Sequence, residues 1–230
     1  MIALVITSID IKAQIHYNAW FRGTVSYPLS EKIKVETEFQ HRRQNGYENK
    51  FMFDKNLMYT FRTWLQYQHN ENVKVSLSPF AYFSNYKIIQ QKVDERADPN
   101  HEIRFSGAIE MQQRIFRQLY LVDRTAVEYR LFEKTSNILR FRNRIGLDYA
   151  LNKKMRFGIY DELFFNMRGS SAGHFFDHER IGSHFEYKIT PTLKIGISYI
   201  HISRLPITSE EKLYENNLLI QAVCLLRYRK

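Results

Sequence analysis

KIKVETEFQHR, residues 32–42, alternates without a break. Lys34, Glu36, Glu38, Gln40 and Arg42 fall on one side of an extended chain; Ile33, Val35, Thr37, Phe39 and His41 fall on the other. Such a strand has one apolar and one densely charged face. A soluble barrel would bury the apolar rows at its centre, whereas a membrane barrel turns them to lipid and keeps the charges inside.

The pattern recurs along the chain. Leu139, Phe141, Ile145, Leu147 and Tyr149 oppose Arg140, Arg142, Arg144 and Asp148. Ile103, Phe105, Ile109 and Met111 oppose Glu102, Arg104, Glu110, Gln112 and Arg114. Leu119, Leu121, Val127, Tyr129 and Leu131 oppose Arg124, Glu128 and Arg130. Strands are expected at 15–27, 32–43, 56–68, 72–84, 101–114, 118–132, 138–149, 154–166, 178–188, 193–203 and 216–229. Most are long enough for the roughly nine to eleven residues that cross a bilayer at a tilt, while globular strands peak near five or six. Roughly eight strands already give an interior just wide enough to pack with side chains. About eleven long strands with apolar faces inward would leave it unfilled, so the charges are expected inside.

Turn chemistry sets the same architecture. YPLSEKIKV (27–35), YQHNENVKV (67–75), YALNKKMRF (149–157) and YKITPTLKI (187–195) align without gaps, at a spacing near forty or twice that. Each carries Tyr, then Ser, Asn or Thr three residues on, then an apolar–basic–apolar triplet, as a tight turn between two strands requires. The other connections (44–55, 85–100, 167–177 and 203–216, with a short one at 133–137) are mostly longer and polar. The fold expected is an all-β, antiparallel, up-and-down transmembrane barrel of about 12 strands (10–12), with short periplasmic turns and longer extracellular loops. Eleven strands would leave the first and last parallel, so residues 2–13 are a candidate twelfth. The alternative for residues 1–13 is the remnant of an export signal, with its apolar run ending at Ala13; residues 14–230 then form one domain.

Composition limits the alternatives. A net charge of +10 would suit an anionic partner, but both signs are scattered at strand spacing, and no basic helix or zinc spacing appears, so nucleic acid is not expected. Cys224 is the only cysteine, which excludes an internal disulfide. The longest apolar run, LLIQAVCLL at 218–226, is too short for a membrane helix. No metal or cofactor is expected.

The charges expected to line the lumen include Glu36, Glu38, Arg62, Arg104, Glu110, Arg124, Glu128, Arg140, Arg142, Arg144, Arg156, Glu162 and Arg180. They either select anionic solutes or brace a narrow, plugged barrel as a cross-strand ion-pair network. Asp123 and Asp161 fall on the lipid face instead; a bulge in YDELFFN (160–166) would re-aim Asp161, and Asp123 would sit near an interface. Gly146 and Gly158, and Gly182 and Gly196, are expected to face one another across their turns. Tyr27, Tyr67, Tyr149, Tyr187 and Tyr228 are expected in interfacial girdles. For catalysis, His184 and Ser198 would be cross-strand neighbours with Glu186 nearby, the minimum for acyl transfer and a weak signal.

AWFRGTVSYPLSEKIKVETEFQHRR, FRNRIGLDYALNKKMRFGIYDELFFN and FDHERIGSHFEYKITPTLKIGISYIH resemble the outer-membrane barrels grouped as domain of unknown function 2490, with YDELFFN the most specific piece. The resemblance covers most of residues 15–230. It implies a Gram-negative cell outer membrane, no established activity and no catalytic residues to carry over. The function expected is structural or passive permeation, with outer-membrane lipid and the barrel-insertion machinery as partners and the oligomeric state open. A lipid hydrolase or deacylase and a soluble ligand-binding barrel are the alternatives.

Overall fold

A computed structural model describes residues 15–204 and 212–226. The strands are β1 (Ile15–Pro28), β2 (Ile33–Gln44), β3 (Lys55–Gln68), β4 (Val73–Asn85), β5 (Asn100–Phe116), β6 (Leu119–Phe132), β7 (Ile138–Ala150), β8 (Met155–Arg168), β9 (Phe176–Lys188), β10 (Leu193–Arg204) and β11 (Leu213–Leu225). Each pairs with its sequence neighbours and the sheet closes on itself. A one-turn 3-10 helix, Lys92–Arg96, lies in the β4–β5 loop.

Among the described residues the barrel has eleven strands, within the expected ten to twelve but one short of the twelve favoured. The odd count leaves β1 and β11 running the same way, and they pair in parallel from Ile15↔Tyr214 to Ser26↔Leu225. A parallel ladder is only slightly less stable per residue than an antiparallel one, so no further strand is needed to close the wall. Side chains pin the register: Asn18 Nδ2 donates to Glu215 Oε2 at 2.8 Å and to Asn217 Oδ1 at 2.9 Å. The candidate strand or export segment at 1–13 lies outside the described residues, as does Tyr228.

The repeated turn signature closes four hairpins. Ser30 Oγ accepts from the backbone N–H of Ile33 at 3.0 Å. Asn70 Oδ1 accepts from Val73 and Asn152 Oδ1 from Met155, both at 2.9 Å. Thr190 Oγ1 accepts from Thr192 at 3.2 Å. These are Asx- and Ser/Thr-turns, in which a short side chain supplies the acceptor that the reversing backbone lacks.

The apolar rows face outward. Leu77 is 53% exposed and Ile109 50%, whereas Glu128 is 1% and Glu102 1% exposed. A protein packed around an oily centre shows the reverse. Register breaks occur where the sequence cannot hold the alternation, as at Ser78–Ala81, where Pro79 has no N–H for the ladder. Beyond that bulge the inward parity flips, so that Ala81 and Phe83 point inside. The bulge expected to re-aim Asp161 is absent: Asp161 pairs regularly with Ile145 and Ile181, and β8 breaks register with β9 only at Phe164/Phe165.

Candidate functional site

One cavity of about 730 Å³ runs inside the barrel. Its lining extends from Lys34, Lys74, Arg156 and Lys194 at the turn end to Asn85, Tyr86, Phe132 and Arg204 at the loop end. Fifteen lysines and arginines line it, against seven carboxylates, or nine with Glu102 and Glu128 behind the arginines. The lumen is therefore cationic throughout.

Along β5–β9 the charges form a continuous ladder. Arg130 Nε and Arg104 Nε reach Glu102 Oε1 at 2.8 and 2.7 Å. Arg104 continues to Glu128 Oε2 at 3.4 Å, and Arg140 Nη2 and Arg142 Nη1 reach the same carboxylate at 2.6 and 2.9 Å. Arg142 also donates to Glu162, which Arg180 approaches at 3.9 Å. Three carboxylates thus hold five arginines, all largely removed from solvent. Nearer the turns, Glu110 takes Lys74 at 2.7 Å, with Arg124 and Arg144 at 3.9 and 4.0 Å, and Glu36 takes Lys34 at 2.8 Å.

On β1–β4 aromatic rings replace the carboxylates. The Arg42 guanidinium lies 3.6 Å from the centroid of the Trp20 ring, and Arg62 lies 5.2 and 5.1 Å from Trp64 and Phe83. A positive charge over the negative face of a ring is favourable and leaves the N–H edge of the guanidinium free. The rings are shared with the facing wall: Arg180 is 6.0 Å from Trp20 and Arg124 is 5.5 Å from Trp64. Arg22 has its one carboxylate, Glu38, at 3.5 Å.

His184 and Ser198 are direct partners on β9 and β10, in the expected register. They do not form a relay. His184 Nε2 turns to Asp148 Oδ1 at 3.3 Å, and Asp148 also meets Arg156 at 3.4 Å. Glu186 is two residues along the same strand as His184 and takes Lys194 at 3.7 Å. Gly158 makes room for this pair, since a Cβ there would overlap both the Asp148 carboxyl and the His184 ring. The expected glycine pairings do not form: Gly146 lies two residues out of register with Gly158, and Gly182 four residues out of register with Gly196. Gly146 and Gly182 both flank Tyr160, whose ring occupies the space they leave, and Gly196 lies opposite Glu186.

On the outer surface, Tyr27, Tyr67 and Tyr149 are exposed beside the turns, and Tyr187 is half-buried there. Stacked pairs ring the opposite end: His41 with Tyr59 at 4.4 Å, Tyr82 with His101 at 5.7 Å and His201 with Tyr214 at 5.8 Å. Asp123, four residues from the start of β6, accepts from Asn143 Nδ2 at 3.1 Å and from the Thr125 hydroxyl at 3.3 Å. Asp161 Oδ1 is buried with no hydrogen-bond donor.

Sequence reading missed the aromatic props Trp20, Trp64, Phe83 and Phe164, together with Arg22, Arg204 and the Asn18–Glu215–Asn217 clasp. A signal existed for several of them. In β1, His16, Asn18, Trp20, Arg22, Thr24 and Ser26 share one parity, and a tryptophan on an otherwise polar row is out of place unless a cation lies over it.

A closed, mostly antiparallel barrel with apolar rows outside and charges inside has the form of a membrane barrel. The chain belongs to the family described as protein of unknown function DUF2490, whose model matches residues 17–208. Among solved structures it is similar to the NanC porin, with 11% identity over 92% of this chain and 99% of that one, and a TM-score of 0.55. It also matches the KdgM porin, solved in complex with disordered oligogalacturonate, at 13% identity over 82% and 91% of the two chains and a TM-score of 0.45. A further match is the outer membrane channel DcaP of Acinetobacter baumannii, at 8% identity over 83% and 80% and a TM-score of 0.35. No curated protein matches the sequence.

Proposed function

We propose that this barrel is a passive channel of the outer membrane that passes small anions in preference to cations. One observation carries the reading: a single cavity reaches from the turn end to the loop end, and its cations outnumber its carboxylates by fifteen to nine once Glu102 and Glu128 are counted. In a low-dielectric tube that surplus lowers the free energy of an anion and raises that of a cation. The lumen ion pairs serve this function structurally, since they hold long side chains against the wall and keep a path beside them. The turns face the periplasm and the long loops the exterior, as in other outer-membrane barrels. Lipid solvates the apolar rows, the tyrosines beside the turns lie at one interface, and the barrel-insertion machinery places the chain.

The test is electrical. In planar bilayers under a potassium chloride gradient, the reversal potential takes the sign of chloride permeability. A cation-selective or non-conducting barrel, refolded and shown to be heat-modifiable on gels, would defeat the reading. Labelled phospholipid incubated with the same preparation releases no fatty acid, because His184 is committed to Asp148 rather than to Ser198.

A further inference from the structure

Six neighbouring polar groups on β1–β3 make no hydrogen bond: Trp20 Nε1, Arg22 Nε, Gln40 Nε2, Arg42 Nε, Thr60 Oγ1 and Arg62 Nε. Arg22 Nε faces the Glu38 carboxylate at 3.5 Å, and the other five have no acceptor. All six residues line the same cavity. They occupy adjoining rows of the ladder: Trp20 lies opposite Arg42, Arg22 opposite Gln40, Gln40 opposite Thr60, and Glu38 opposite Arg62. Trp20, Gln40 and Thr60 are each 2% exposed. Five of the six groups can only donate, and the Thr60 hydroxyl can do so. The orientation of Gln40 is fixed by its neighbour, because Arg42 Nη2 donates to Gln40 Oε1 at 3.0 Å and leaves the amide NH₂ free. A buried donor without an acceptor costs free energy, and five clustered on one patch of wall are a demand for an anion.

Charge and valence narrow its chemistry. Among the described residues, neither Arg42 nor Arg62 has a carboxylate within ion-pair distance; Glu38, opposite Arg62 in the ladder, is taken by Arg22. Two uncompensated guanidiniums call for about two negative charges. A carboxylate offers roughly four lone-pair sites on two oxygens, too few for five donors. A phosphate group carries about −1.5 to −2 charges at neutral pH and three strongly accepting oxygens, and the guanidinium fork matches it bidentately. We propose that this patch is a binding site for a phosphate group, so that the lumen recognises phosphorylated solutes or free phosphate rather than anions at large. Its meaning for transport rests on the channel reading above; its existence does not.

The test uses the full-length barrel in lipid nanodiscs and titration calorimetry at pH 8 and constant ionic strength. Inorganic phosphate and glycerol phosphate bind saturably at one site per barrel, succinate binds at least about tenfold more weakly, and chloride does not saturate. Tighter binding of glycerol phosphate than of phosphate identifies an organic phosphate as the ligand, and equal or weaker binding identifies phosphate itself. Arg42→Gln and Arg62→Gln each weaken phosphate by about tenfold or more, as loss of a charge-assisted bond predicts. Arg62→Lys does the same, because it keeps the charge and loses the fork. Lys153→Gln, in an exposed turn, leaves binding unchanged. Succinate binding as tightly as phosphate, or full affinity in a folded Arg62→Gln barrel, overturns the site. Anion-selective conductance without phosphate binding overturns it too and leaves the channel standing. Phosphate binding without conductance does the opposite.

Discussion

The two halves of the lumen wall use arginine in opposite ways. On β5–β9, Glu102, Glu128 and Glu162 hold five arginines in a ladder that includes four contacts of 2.6–2.9 Å. On β1–β4, Arg42 and Arg62 rest on Trp20, Trp64 and Phe83 and keep donors free. A carboxylate satisfies a guanidinium and ends its chemistry, whereas a ring supports the charge and leaves the hydrogen-bonding edge available. One side chain is thus a brace on one wall and a potential ligand on the other.

The largest expected effect follows from the brace. Glu128→Gln leaves Arg104, Arg140 and Arg142 buried without their shared carboxylate. Breaking a buried pair by removing one partner costs about 3–5 kcal/mol. Urea unfolding followed by the fluorescence of Trp20 and Trp64 measures it. Arg42→Gln loses a ring contact worth about 0.5–2 kcal/mol and one hydrogen bond to Gln40, but no carboxylate partner. If the two variants prove equally destabilised, the contrast between the walls is wrong.

Selectivity reverses the ranking. The Arg42→Gln/Arg62→Gln double variant lowers the chloride preference of the channel, with stability within about 2–4 kcal/mol of the parent if the ring contributions of the two arginines add. Glu38→Gln shifts the reversal potential the other way, since it removes the one acid beside Arg22. Equal shifts from Glu38→Gln and from the double variant, in the same direction, would show that the lumen does not sense net charge on this wall.

A smaller contrast lies on the outer face. Asp123 is satisfied by Asn143 and Thr125, whereas Asp161 Oδ1 has no donor. A carboxyl facing lipid costs less than the roughly 2–4 kcal/mol of a mid-bilayer Arg or Lys. Asp161→Leu therefore raises unfolding stability by about 1 kcal/mol, while Asp123→Leu takes the carboxylate acceptor from the Asn143 amide, which keeps only its 2.9 Å bond to Thr125 Oγ1, and yields no gain. Comparable stabilisation by both substitutions in the urea assay would show that the Asn143 bond is worth nothing.

Most of the wall was legible because strand alternation is a strict two-residue code. KIKVETEFQHR and its counterparts placed Glu36, Glu38, Arg62, Arg104, Glu128, Arg140 and Glu162 on one face, and the Asn70 and Asn152 turns set the hairpins. The closure was not legible. An odd barrel needs a parallel seam, and what pins that seam is a contact between Asn18 and Asn217 at opposite ends of the chain. Nor was the division of labour among arginines. Which of them finds a carboxylate depends on neighbours across strands, and the Ser78–Ala81 bulge, which swings Phe83 inward beside Arg62 and Arg104, changes that count without changing the pattern.

The smallest effect concerns the loop end, where the β4–β5 loop folds toward the mouth. Gln44 Nε2 donates to Lys87 O at 2.9 Å, Gln44 Oε1 accepts from Ile89 N–H at 3.3 Å, and Ile89 is buried. Tyr86 and Ile88 line the cavity itself. Asp94 ties the loop together, accepting from Lys87 Nζ at 2.6 Å and from the N–H groups of Gln91 and Gln90 at 2.8 and 3.0 Å. Burial pushes its carboxyl up, but the Lys87 bond, the two backbone bonds and the Lys87 charge outweigh burial and hold it below the ordinary value. A carboxyl depressed in the folded state stabilises above its unfolded value of about 3.9, and that contribution is lost as pH falls further, through the folded value. Amide exchange over residues 86–97, corrected for intrinsic rates, is thus constant from pH 7 to about 5 and accelerates only in the acid range below the ordinary carboxylate value. Asp94→Asn keeps some of the acceptor geometry but loses the charge, so its exchange is faster at neutral pH and shows no acid step. An acid step that survives in the Asn variant would show that Asp94 does not set the loop's pH dependence.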